Sequence, residues 1–227
     1  MFSQQEILTC EGIILRTLPY RENERILTLM TKEHGILQAI LYKKNVPAAI
    51  CSPSSKIELL YKEGRGNLAL GVDIHLLDAN EKIRSSLAAM LEVGKMLSIT
   101  LKTQVERKPA PEIYTLLRLL ISLSTEMADP EILTYIYSIK ILLLEGMIDT
   151  CMHCSICHQS ATLTHFSKGE WLCPEHAPEY AIVAEHSVIE AWCLLVYIRQ
   201  LDKIKELVLD SEVKKRLAIL LDDVMQH

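Results

Sequence analysis

Residues 7–42 read ILTCEGIILRTLPYRENERILTLMTKEHGILQAILY. Three segments of this stretch read as strands, the first alternating loosely around the apolar run Ile13-Ile14-Leu15. Ile7 to Leu18 is the first, Arg25 to Thr31 the second and Ile36 to Tyr42 the third. Glu33-His34-Gly35 supplies a turn, with a glycine where positive φ carries no steric cost. Working outward, Ser55 to Tyr61 and Leu68 to Leu77 read as two more strands, joined by the turn Gly64-Arg65-Gly66-Asn67. Five short strands within about 80 residues fit a small Greek-key barrel of the OB type, an oligonucleotide-binding architecture. Periodicity alone leaves an SH3-like barrel or a sandwich open.

The texture changes near Asp78. Glu81 to Thr103 contains no proline and places Ile83, Leu87, Met90, Leu91 and Leu97 at helical spacing, with Asp78 or Asn80 as candidate caps. Pro109 and Pro111 end that segment and open a helix from Glu112 to Ser124. Helices are also expected from Pro130 to Met147, Val188 to Leu201 and Ser211 to Gln226. The expected architecture is α+β: a five-stranded barrel over residues 1–79, then an all-α bundle over 80–227 carrying a cysteine-rich insert at 151–177.

That insert carries the most specific chemistry in the chain. Cys154 and Cys157 form a C-x2-C pair, and fifteen residues further on Cys173 and His176 form C-x2-H. Two short loops giving two ligands each satisfy a tetrahedral zinc ion with little chain strain. The pair Cys151 and Cys154 has the same spacing, and His153, His158 and His165 are possible substitutes. The 154/157 pairing is favoured, because Cys151 follows directly on a helix end while Cys157 begins a polar loop. Four protein ligands would close the coordination sphere, so the zinc is expected to be structural. No H-E-x-x-H and no deaminase pattern accompanies it. Unligated core cysteines are the plainer reading of the cluster, and one that the matching histidine makes less apt. Cys10, Cys51 and Cys193 are given no role.

Charge narrows the function. The 227 residues hold 24 Lys and Arg against 29 Asp and Glu, a net charge of −5, which argues against a simple polycationic DNA binder. Residues 1–80 hold nine of each sign, so the acidity belongs to the second part. Any nucleic-acid surface on the barrel must therefore gather its cations on one face. Arg16, Arg21 and Arg25 flank the first turn and Lys43 and Lys44 end the third strand, with Tyr20 and Tyr42 as stacking faces. A mixed solvated surface is the competing reading, since Glu22, Glu24 and Glu33 are interspersed. No Walker A, G-x-G-x-x-G or G-x-S-x-G pattern is present. The longest apolar-rich run, Ile132 to Met147, is broken by Lys140 and Glu145 and is too short and charged to span a bilayer. The expectation is a cytoplasmic protein, without membrane association, whose clustered cysteines hold metal.

The opening stretch resembles the RecO family of bacterial recombination mediators. Glu11-Gly-Ile-Ile-Leu-Arg16 is similar to that family's first strand. Tyr20-Arg-Glu22-Asn-Glu-Arg25 and Leu27-Thr-Leu-Met-Thr31-Lys-Glu-His-Gly35 are similar to its following turn and strand. Ile57 to Gly66 resembles its late barrel strands, and the helix before a C-x2-C pair resembles its zinc-containing members. The resemblance implies an OB-fold domain, a helical zinc domain and binding to single- and double-stranded DNA. It implies annealing of complementary strands and partnership with RecR and single-strand-binding protein, helping RecA load onto gapped DNA near the nucleoid. It implies no enzymatic activity. Two departures stand out: Tyr42-Lys43-Lys44-Asn45-Val46-Pro47 replaces an arginine-rich run, and His176 stands where cysteine is common.

Overall fold

The computed structural model describes residues 6–42, 50–64, 66–160 and 163–226. The chain forms two compact units, Met1–Glu126 and Met127–His227.

The first unit holds a closed barrel of β1 (Leu8–Pro19), β2 (Glu24–Thr31), β3 (Gly35–Tyr42), β4 (Lys56–Lys62) and β5 (Leu68–Asp78). The order around it is β1-β2-β3-β5-β4, with β4 returning to pair with β1. Every neighbour pair is antiparallel except β3 and β5, which run parallel over only Gln38–Ile40 and Leu68–Leu70. All five strands lie within a residue or two of their expected positions. Full closure excludes the sandwich. Alternate residues fill the interior, among them Ile14, Leu27, Leu29, Leu37, Ala39, Ile57, Leu59 and Tyr61. Ile13, Met30 and Ile36 are buried on the outer side, where α1 (Leu87–Thr103) lies against β1 and α2 (Pro111–Leu123) against β2.

The β2–β3 turn needs its glycine. Gly35 has φ of +62°, and an added Cβ would stand 1.8 Å from the Lys108 carbonyl oxygen. Thr31 shapes the same turn, its hydroxyl donating to the Gly35 carbonyl and accepting from the His34 N–H. The approach of Lys108 reflects a strap: residues 104–110, between α1 and α2, run along the end of β3. The Arg107 N–H donates to the Ile36 carbonyl at 3.0 Å. Glu106 accepts from Gln38 and Asn67, and Arg107 forms a two-pronged pair with Glu63 at 3.0 and 2.9 Å.

Three expectations for the first helical segment need correction. Glu81 to Thr103 is not one helix: a 3-10 turn over Glu81–Ser85 precedes α1, and Ser86, not Asp78 or Asn80, caps α1 by accepting from the Ala89 N–H. Leu87, Met90 and Leu91 are exposed at 71%, 47% and 57%. Ile83 and Leu97 of the expected set are buried, and Ala89, Val93, Met96 and Thr100 complete the buried stripe of α1. This helix carries apolar residues on more than one side, so spacing alone could not choose the face that packs.

The second unit holds α3 (Glu131–Leu144), α4 (His186–Tyr197), α5 (Leu201–Glu206) and α6 (Ser211–Met225). It also holds a small sheet the sequence reading missed, in the order β7-β6-β8: β6 (His165–Ser167), β7 (Glu170–Leu172) and β8 (Ile182–Val183). The expected helix Val188 to Leu201 is broken after Tyr197, where Ile198 turns extended. Phe166, Trp171 and Trp192 form the centre of this unit, with ring centroids 4.9 to 5.8 Å apart. Lys140, half-buried on α3, donates to the Val196 carbonyl at the C-terminal end of α4, where a cation meets the negative end of the helix. No helix among the described residues is long and apolar enough to cross a membrane.

Candidate metal centre and nucleic-acid interface

The candidate metal centre is built by two tight turns. In the first, the Cys154 N–H donates to the Gln159 carbonyl and the His158 N–H to the Cys154 carbonyl, both at 2.9 Å. In the second, the N–H groups of His176 and Ala177 both donate to the Cys173 carbonyl at 3.1 Å. The β6–β7 hairpin sets the two turns face to face, and the Ser155 N–H donates to the Trp171 carbonyl at 3.0 Å. Its own turn, Lys168-Gly169, has positive φ at both residues, the geometry of a two-residue hairpin.

The donor atoms of Cys154, Cys157, Cys173 and His176 all lie within 4.8 Å of one another. A tetrahedral zinc ion with ordinary bond lengths places sulfurs about 3.8 Å apart and sulfur about 3.6 Å from nitrogen. The Sγ atoms of Cys157 and Cys173 are 3.9 Å apart, and the His176 Nδ1 lies 3.7 Å from the Cys154 Sγ and 3.1 Å from the Cys173 Sγ. The four residues could hold a metal ion, and they are the set the 154/157 pairing predicts. Cys151 is exposed and outside the cluster. His153, His158 and His165 are outside it too.

Electrostatics favour thiolate at one sulfur first. Burial works against charge on Cys154, but the backbone N–H groups of Cys157, Cys173 and Ile156 outweigh it and bring the thiol down to about 5. Cys157 is shifted the other way. The Gln159 N–H favours its thiolate, yet desolvation and the neighbouring sulfurs of Cys154 and Cys173 prevail and raise it. Several thiols crowded together need a cation to ionise jointly.

The barrel brings only part of the expected basic set together. Arg25 pairs with Pro19 across the first hairpin and Tyr42 pairs with Glu24. Arg21, Arg25, Tyr20 and Tyr42 therefore share one end of the barrel. Arg21 stacks over the Tyr20 ring, with its guanidinium carbon 5.2 Å from the centroid, and lies 3.8 Å from the buried Glu24 carboxylate. Tyr20 and Tyr42 are 49% and 62% exposed. Arg25 has the inward phase of Leu27, and its guanidinium acts on Cys51, whose thiol burial nonetheless raises. Arg16 pairs with Thr28 and so faces the opposite side of the ribbon. Lys43 and Lys44 lie outside the described residues. Cys10 and Cys51 are buried in the barrel, where desolvation pushes Cys10 to about 12. Cys193 is half-buried on α4.

Sequence reading gave Glu11 no physical role. Its carboxylate accepts from the Tyr114 hydroxyl of α2 at 2.5 Å and pairs with Lys56 of β4 at 2.9 Å, tying two strands and a helix together. The signal was present as the acid opening Glu11-Gly-Ile-Ile-Leu-Arg16, but its partners lie 45 and 103 positions away.

Fold and cluster together define a closed five-stranded barrel of the OB type followed by helices, with four residues able to hold metal. The family model described as "Recombination protein O N terminal" matches residues 5–68, and "Recombination protein O C terminal" matches residues 84–227. The chain belongs to the RecO family. It is 29% identical over 177 residues to "DNA repair protein RecO" of Bacillus mycoides (strain KBAB4), covering 74% of this chain and 70% of the relative. It is 26% identical over 222 residues to "DNA repair protein RecO" of Bacillus cereus (strain B4264), covering 93% and 88%.

Proposed function

We propose that this protein acts, without enzymatic activity, as a DNA-repair and recombination mediator in the bacterial cytoplasm. It binds single- and double-stranded DNA through the barrel of residues 1–79, anneals complementary strands and helps load recombinase onto gapped DNA. RecR and single-strand-binding protein are its protein partners. The reading rests on one observation above others: a closed barrel in the order β1-β2-β3-β5-β4 carries Arg21, Arg25, Tyr20 and Tyr42 at one end, in a chain of the RecO family. Guanidinium groups neutralise phosphate, while exposed tyrosine rings accept stacked bases without regard to sequence. Lys43 and Lys44 are assigned to DNA binding in this reading as well. Arg16, on the other face of the ribbon, would contribute through a separate contact.

Cys154, Cys157, Cys173 and His176 hold zinc in this reading, with a closed coordination sphere and a structural role. Zinc would neutralise the crowded thiolates and lock the two turns, and no reaction step is assigned to it.

Labelled single-stranded DNA titrated across a salt series tests the proposal. The logarithm of affinity should fall linearly with the logarithm of salt, with a slope near −0.7 per phosphate neutralised. Arg21→Glu should flatten that slope, and Tyr42→Ala should weaken binding by about 1–3 kcal/mol with the slope retained. Absence of DNA binding at low salt would defeat the reading. The second reading, a protein-binding adaptor, has support in the net charge of −5 and in the pairing of Arg21 with Glu24. It predicts firm binding to a protein partner and none to DNA.

A further inference from the structure

We propose that Glu106 is an internal stand-in for a DNA backbone phosphate. Its carboxylate fills a seat between Gln38 of β3 and Asn67 of the β4–β5 turn, and single-stranded DNA takes that seat by lifting the strap of residues 104–110. The inference rests on the DNA-binding reading and adds to it a restraint built into the barrel. In an OB barrel, oligonucleotides meet the outer side of the second and third strands and the loops that follow the first and fourth. Leu37, Ala39 and Leu41 point inward, so Ile36, Gln38, Ile40 and Tyr42 mark the outer track of β3. Tyr42 stands exposed at one end of that track, and the strap covers the other.

Hydrogen bonds define the seat. One Glu106 oxygen accepts from the Gln38 amide, and the other accepts from the Asn67 amide at 3.1 Å. Donors on two separate elements thus hold the two oxygens of one anion, and side-chain amides are ordinary phosphate contacts. Beside them Arg107 grips the Glu63 carboxylate at 3.0 and 2.9 Å and donates to the Asn67 carbonyl at 3.4 Å. A guanidinium fork that fits a carboxylate fits a phosphate by the same geometry. Acids of this chain therefore occupy the donors a phosphate needs, on the face where an OB barrel receives one. Contacts hold the strap, not backbone preference: Arg107 has φ of +60°, a left-handed conformation that costs energy for a residue with a Cβ. Its N–H bond to the Ile36 carbonyl at 3.0 Å and the β-bridge between Ile36 and Glu106 tie it to β3. From Gln38 to Tyr42 the strand rises about 13 Å. That lies well within the roughly 4–16 nucleotides an OB fold holds, so one DNA strand can stack on Tyr42 and reach the seat.

Labelled oligothymidylate is titrated with the full chain as wild type, as Glu106→Gln and as Glu81→Gln. The last removes one exposed acid from the turn before α1, at the other end of that helix from the strap. Glutamine keeps the size of the Glu106 side chain but gives up its charge-assisted bonds, which are roughly twice as strong as neutral ones. Glu106→Gln should therefore bind about 5-fold more tightly or better, and Glu81→Gln should stay within about 2-fold of wild type. Hydrogen exchange of residues 104–110 reads the strap directly. It should quicken when the wild type is saturated with DNA, whereas a bystander segment would be unchanged or slowed. A Glu106→Gln variant that gains no more than Glu81→Gln overturns the proposal, as does strap exchange that holds or slows on binding. The exchange measurement needs no variant, so a poorly folded Glu106→Gln cannot hide the answer. Failure of the DNA-binding reading looks different: neither wild type nor Glu106→Gln binds at low salt, and both ideas fall together. Binding by Glu106→Gln where wild type shows none would support a strap that closes the seat outright.

Discussion

At the scale of single residues, Glu11 shows how a motif position acquires meaning. Removal from water alone would raise its carboxyl, but the Tyr114 hydroxyl and Lys56 outweigh that and hold it below the usual range. A depressed folded-state value gives stability that is present above the unfolded value near 4.3 and is lost as pH falls through the folded one. Glu11→Gln should cost about 1 kcal/mol at pH 7, the partial exposure of the pair being allowed for. The gap to wild type should close in melts below pH 4. A constant gap across pH would assign the cost to packing. Gly169 makes a sharper case. Its φ is +88° and an added Cβ would stand 2.3 Å from the Met147 carbonyl oxygen, whereas Gly66, at φ +67°, has nothing within 4 Å. Gly66→Ala should therefore cost only about 1 kcal/mol of backbone strain, and Gly169→Ala clearly more in the same denaturation assay. Equal costs would mean that Met147 yields freely.

At the scale of elements, the start of α1 hangs on one hydroxyl. Ser86 accepts from the Ala89 N–H, so Ser86→Ala should lower stability by about 1 kcal/mol, while Asn80→Ala should leave α1 intact. Helical circular dichroism and melting of both variants decide between them. The strap of residues 104–110 explains how β3 is covered beyond its short parallel pairing with β5. Glu106 receives Gln38 and Asn67, and Arg107 grips Glu63. Composition gave no hint of it, because a segment that contains Pro109 and runs into Pro111 reads as a plain connector.

At the scale of the whole molecule, the two units should respond differently to loss of metal. Both tryptophans of the chain sit in the second unit, in the cluster of Phe166, Trp171 and Trp192, and the Trp171 carbonyl receives the Ser155 N–H of the turn that carries Cys154 and Cys157. Chelation of a structural ion should loosen that cluster, changing tryptophan emission and lowering the melting temperature of the second unit. The barrel, whose described residues contain no ligand of the centre, should keep its own transition. Cys173→Ser should reproduce the chelated state without chelator. Unchanged emission on chelation would argue that the four residues hold no structural ion.

The barrel strands and the gathering of Cys154, Cys157, Cys173 and His176 were legible from order alone, and for the same reason. Alternation with period two and C-x2-C spacing are local patterns, each written within a few residues. The face of α1 that packs, the parting of Arg16 from Arg25, the sheet of β6 to β8 and the partners of Glu11 were not legible. Each depends on which surfaces meet. A helix with apolar residues on several sides buries the side its neighbours cover, and a bulge between Ile14 and Arg16 shifts the phase of every residue after it. Strands of two and three residues carry too little alternation to announce themselves. They exist because the turns that gather Cys154, Cys157, Cys173 and His176 need a hairpin to face each other, a requirement that arises only once the chain has folded back on itself.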